Sequence, residues 1–209
     1  MATSNGAFGE FKGKLGNLVS YNLKGKTVIR HIGKSNKKPT AAQLATRQKM
    51  AAVIKFLRPA LPFVNVGFEL EVLGTDKNPH NAAVSYNVKN AIQGSYPDIS
   101  LDYSKVLLSK GLLEPAIAPA ATLTGTLLEL TWQVPADMDW GIKNDRAMLF
   151  IYCPELDKAV YVWSGARRST GKDEIDLPLN YVGKELQVYI AFKAGDGKSV
   201  SDSVWVGLI

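Results

Sequence analysis

The sequence has little of what chemistry at a metal or a thiol needs. Its 209 residues include one cysteine and two histidines. Cys153 has no second cysteine to pair with, which excludes an internal disulfide and makes a reducing compartment the expected setting. His31 and His80 lie far apart, and zinc wants three or four ligands at short spacings. No metal and no cofactor is expected. No uninterrupted apolar run approaches the roughly 18 residues of a membrane-crossing helix, so membrane insertion is not expected. The first ten residues hold no apolar segment of the kind a secretory signal requires. The expectation is therefore cytoplasmic synthesis without a signal peptide, with incorporation into a particle or an extracellular assembly left open.

Acidic residues are nearly missing from the first 60 positions. Twelve Lys or Arg stand there against one acid, Glu10, a net of +11, while the whole chain carries +6 and residues 61–209 sum to −5. A basic head on a mildly acidic body points to an anionic partner: nucleic acid, an anionic surface, or the acidic face of another copy.

What is present is enough apolar sequence, 46%, to bury a core. Leu18–Leu23 and Thr27–Ile32 read as a β-hairpin around Lys24-Gly25. Gly33 to Lys38 is a polar, basic linker. Pro39-Thr40 opens a helix, with Thr40 as N-cap, Gln43 as in a capping box, and Leu44, Ala51, Ile54 and Leu57 at helical spacing. Pro59 is expected to end it. Pro62 to Leu73 reads as helix or bent loop. Asn78-Pro79 opens a second helix carrying Val84, Val88 and Ala91, with Gly94 as its stop.

From about Ile99 the apolar period changes from near four to two. Strands are predicted at Ile99–Leu107, Leu127–Val134, Ala147–Cys153, Ala159–Trp163, Glu174–Leu177, Glu185–Ala194 and Ser203–Leu208. Pro115 to Ala121 reads as a connection. The predicted class is α+β: an N-terminal β-hairpin and helices over residues 1–98, then an antiparallel β-sandwich over 99–209.

Gly25-Lys26-Thr27 imitates the end of a phosphate-binding loop. The required glycine five residues before the Gly-Lys pair is Ser20, however, and Val28-Ile29-Arg30 favours a strand where a helix is needed. Asp102, Asp137 and Asp139 offer carboxylates, but no motif pairs them with a nucleophile and its base. Asp173, Glu174 and Asp176 read as a charged solvent face, and Cys153 as a buried thiol. The strand aromatics, Trp132, Tyr152, Tyr161, Trp163, Tyr189, Phe192 and Trp205, read as core packing, with a nucleic-acid or glycan stacking platform as the alternative. A second basic edge is placed at Trp163 and Arg167-Arg168. No small-molecule substrate is identified, and the chain is not expected to be an enzyme.

Two resemblances follow from particular blocks. Leu130-Thr131-Trp132, Asn144 through Tyr152, Leu186 through Phe192 and Gly197 through Ser201 resemble a fibronectin type III or immunoglobulin-like sandwich. That resemblance implies binding or scaffolding. Gly13 through Val19, Lys24 through Arg30, Pro39-Thr40, Gln43, Arg47, Asn87, Asn90-Ala91-Ile92 and Asp102-Tyr103-Ser104 resemble a family of uncharacterised bacterial proteins of about this length. Some similar N-terminal segments look like those of phage-associated proteins. No functional residue carries over from either. The expectation is a structural protein that self-assembles into a particle, filament or array as a homo-oligomer, with nucleic-acid binding as the alternative. In both, the contact residues are Lys12, Lys14, Lys24, Lys26, Arg30, Lys34, Lys37 and Lys38.

Overall fold

A computed structural model describes residues 3–4, 11–23, 25–34 and 36–209. The chain divides into two compact units, Met1–Thr40 and Ala41–Ile209. The sequence reading drew its boundary at 98/99. The helices that follow residue 40 instead share a core with the strands.

The first unit is an antiparallel meander of β1 (Thr3–Ser4), β2 (Phe11–Leu15), β3 (Leu18–Leu23) and β4 (Lys26–His31), in that order across the sheet. The β3–β4 pair is the expected hairpin, with Leu23 opposite Lys26 and Leu18 opposite His31. Gly25 closes its two-residue turn at φ 78°, where only glycine sits without strain. Lys24 lies outside the described residues. The strand β2 was not among the strands expected. It pairs with β3 through the tight turn Gly16-Asn17.

The second unit is mixed α+β and sandwich-like. It opens with α1 (Ala41–Gly67) and α2 (Pro79–Asn90), followed by the short ladder of β5 (Ile92–Gln93) and β6 (Ser100–Leu101). Next come β7 (Ile117–Thr124), β8 (Leu127–Gln133), the one-turn α3 (Trp140–Lys143), β9 (Arg146–Cys153), β10 (Lys158–Val162), β11 (Lys172–Asp176), β12 (Gln187–Lys193) and β13 (Val204–Leu208). One sheet runs β11-β8-β7 and the other β10-β9-β12-β13, all antiparallel.

The sheets face each other across a core of Leu128, Leu130 and Trp132 from β8, Leu149 and Ile151 from β9, and Val188, Ile190 and Phe192 from β12. The other face of the four-stranded sheet is covered as well. Met148, Phe150, Tyr152, Tyr189 and Ala191 pack under Phe56, Leu57, Ala60, Phe63 and Val64 of α1. Strands buried on both faces read as continuous apolar runs, which is why β9 is Ala-Met-Leu-Phe-Ile-Tyr-Cys without alternation. Phe56 is the hub of the helix side. Its ring lies edge-on to Tyr103 at 5.6 Å and to Tyr152 at 5.0 Å.

Three expectations are corrected. First, α1 does not stop at Pro59 but continues through Pro59 and Pro62 to Gly67. The missing amides deny the carbonyls of Lys55 and Arg58 their usual helical donors, and both residues lie on the exposed side of the helix. Burial of Ala60, Phe63 and Val64 beyond the prolines holds the helix together. Its buried stripe also excludes Ala51 and Ile54, which are exposed. Second, of the expected strand Ile99–Leu107 only Ser100–Leu101, β6, is extended. After β6, Asp102 caps a 3-10 turn at Tyr103–Lys105, accepting from the Ser104 amide at 3.1 Å. Third, the connection Pro115–Ala121 contains most of β7, an edge strand, where Pro119 needs no ladder donor. Its register shifts between Ile117 and Ala120.

The second helix starts as expected: the Asn78 side chain accepts from the Asn81 amide at 2.7 Å, with Pro79 at the first turn. By length and composition α1 is apolar enough to cross a membrane.

Candidate partner-binding surface

In an antiparallel sheet, residues directly opposite share a face and faces alternate along each strand. Lys14, Val19 and Arg30 form one cross-strand row, and Tyr21 and Val28 form the row two positions on. Lys12, two residues from Lys14, falls on the same face, and so does Lys26, paired with Leu23 and four residues from Arg30. One face of the N-terminal sheet therefore gathers Lys12, Lys14, Lys26 and Arg30, all exposed. Among the described residues the opposite face takes Phe11, Leu15, Leu18 and Ile29 and no Lys or Arg. Leu15 is 59% exposed there and Ile29 54%.

The cationic face has an aromatic member that the sequence reading left out. The Arg30 guanidinium carbon stands 5.8 Å from the Tyr21 ring centroid, within cation–π range. The signal was available in the alternation of Val19, Tyr21 and Leu23. Lys34, Lys37 and Lys38 follow, each exposed and outside helix and strand. The turn residue Lys24 lies outside the described residues. Thr27 lies inside β4, so the Gly-Lys-Thr triplet does not stand at a helix N-terminus.

The other candidates have structural partners. Asp102 accepts from the Ser104 hydroxyl at 2.6 Å and pairs with Lys105 at 2.9 Å. The Ser104 hydrogen bond, then Lys105, holds its carboxyl below the usual carboxylate range. Cys153 is fully buried in the sandwich core. Asp173 accepts from the Ala166 amide at 2.8 Å, while Glu174 and Asp176 are exposed. Among the aromatics, Trp132 meets Phe192 edge-on at 5.5 Å, and Trp163 stacks on Phe63 at 5.9 Å. Among the described residues no group of three His, Cys, Asp or Glu is disposed to hold a metal.

Arg168 is a correction, because it does not form a basic edge. Its side chain is 5% exposed and lies 3.3 Å from Asp145, itself 3% exposed. Its guanidinium covers the Phe192 ring at 4.0 Å and donates to the Glu114 carbonyl at 2.7 Å. Burial pushes Asp145 up and Arg168 down from their ordinary pKa values, against the opposing effect of their mutual attraction. Both shifts run in the direction that says desolvation outweighs pairing.

Residues 10–207 match the family of unknown function DUF6266. The chain belongs to that family. No curated protein and no solved structure matches it. Family membership brings no activity with it, so a functional reading of this DUF6266 member rests on its surfaces.

Proposed function

We propose that this DUF6266 protein is a non-enzymatic structural protein that self-associates through its basic N-terminal unit. The observation that carries the reading is the sorting of Lys12, Lys14, Lys26 and Arg30 onto one sheet face. Such sorting is what a sheet with one solvated and one covered face shows, and here the face that should be covered is open. A unit of about 40 residues buries too little to be stable by its own core, and this one exposes Leu15 and Ile29 on the reverse face. Both faces thus favour a partner. The second unit, Ala41–Ile209, is close to neutral at a net −1, so the complementary surface in a neighbouring copy is a local one, such as the exposed Glu114, Asp137 and Asp139.

Light scattering and negative-stain microscopy at low and moderate salt, with and without nuclease, test this. Ordered assemblies that survive nuclease are expected. Reversing all four cations to Glu should weaken association at least about tenfold, on the scale of close charge pairs.

The second reading, nucleic-acid binding, is favoured by Tyr21 beside Arg30, since an aromatic among cations suits a stacked base. A monomer that shifts DNA or RNA at low salt and releases it at high salt would establish that reading in place of the first.

A further inference from the structure

The end of the sandwich where β8 leaves and β9 begins holds a cavity of about 220 Å³. Trp132 and Phe192 lie among its walls, with Glu114, Asp137 and Asp139 beside them. All three acids are exposed residues. Arg168 is the only basic residue lining it, and Asp145 already balances that charge. The Arg168–Asp145 contact is itself incomplete: Arg168 Nε and Asp145 Oδ2 are buried with no hydrogen-bond partner. Across α3 lies a wide, open groove that shares Asp139 and Ile142 with the cavity and adds Asp196 and Trp140. Trp140 is 81% exposed.

The size of the cavity decides its class of occupant. Small-molecule sites usually run from about 300 to 1,000 Å³. A cavity below that range fits one inserted side chain, as at the centre of a protein interface. The Phe192 ring already carries the Arg168 guanidinium, so the apolar wall left for a guest is Trp132 with Ile117 and Ile142. Carboxylates beside such a wall select a cation with an apolar stem, as lysine has. A flat sheet face cannot enter such a cleft, but an irregular segment can. Lys77 and Lys198 also stand exposed in irregular stretches, but the stretch in the basic unit offers two adjacent lysines, Lys37 and Lys38.

We infer that this acid-lined pocket receives a lysine of the Lys37-Lys38 pair from a second copy, making the self-association head-to-tail. The inference rests on the self-association reading and names its acceptor. A heterologous contact of this kind builds a ring if the rotation closes and a filament if it does not.

The test uses the full chain, nuclease-treated, in sedimentation velocity over a concentration series. The double variant Asp137→Lys/Asp139→Lys should associate at least tenfold more weakly than wild type. Lys37→Glu/Lys38→Glu should do the same. An equal mixture of the two should regain association to within about threefold of wild type, since an acidic segment then meets a basic pocket. Both aspartates are exposed, and Asp139 makes no side-chain capping hydrogen bond to α3, so matching circular dichroism and unfolding midpoints are expected. Wild-type association of the Asp137→Lys/Asp139→Lys variant overturns the pocket, as does a mixture no stronger than its components. If that variant assembles while reversal of Lys12, Lys14, Lys26 and Arg30 abolishes assembly, only the pocket assignment falls. A wild-type chain that stays monomeric at every salt and concentration overturns both.

Discussion

At the scale of single residues, the Arg168–Asp145 pair shows how tertiary surroundings reverse a sequence reading. Two adjacent arginines suggest a basic edge. Arg168 is instead enclosed by Asp145, Phe192 and the Glu114 carbonyl, drawn from distant parts of the chain. Arg168→Met should cost about 3–5 kcal/mol, because it strands a buried carboxylate. The double change Asp145→Leu/Arg168→Met should recover most of that loss, as paired removal of a buried ion pair often does. Urea unfolding of the three variants checks both outcomes. The single variant should also acquire a pH dependence. With its guanidinium partner gone, Asp145 rises further above its unfolded value of about 3.9. Between the two values the folded chain keeps a proton that the unfolded chain has released. Stability therefore falls as pH rises through that window, and unfolding at about pH 4 and about pH 7 should differ more for Arg168→Met than for wild type.

At the scale of elements, α1 overrides its own prolines. Pro62 is exposed, so Pro62→Ala restores an amide donor to the Arg58 carbonyl without opening a core cavity. A gain of roughly 1–3 kcal/mol is expected, below the full proline penalty because the unfolded chain also gains freedom. Denaturant unfolding reads it, and a loss of stability would mean that the helix depends on the proline geometry. The helix end is the opposite case. A Cβ on Gly67 would overlap the Leu108 carbonyl oxygen and sit 2.8 Å from Ser109 Cα. The Lys110 amide also donates to the Gly67 carbonyl at 2.9 Å. Gly67→Ala should therefore destabilise by several kcal/mol, about 2–4, as overpacking against backbone does. The β3–β4 hairpin was readable because turn chemistry and alternation are local. The strand β7 was not, because its Ala-Pro-Ala-Ala sequence lacks β-branched signal and pairing with β8 decides its conformation.

At the scale of the whole molecule, the prediction concerns salt. If opposite charges on neighbouring copies drive assembly, association should weaken steeply between about 0.1 M and 1 M NaCl, as the screening length falls from about 10 Å to about 3 Å. Sedimentation over that range checks it. Association that strengthens with salt would point to the apolar face with Leu15 and Ile29 as the contact. Several features were fixed by the sequence alone. They include the charge asymmetry, the hairpin, the start of each long helix and most of the sandwich strands. All of these depend on neighbours a few residues apart. Tertiary structure alone decided that the helices share a core with the four-stranded sheet, which moved the unit boundary from 98/99 to 40/41. It also decided that Arg168 is buried, and that Glu114, Asp137, Asp139, Trp132 and Phe192 line one pocket. These depend on which strand lies beside which, and pairing between distant segments leaves no periodic trace in the residues that make it.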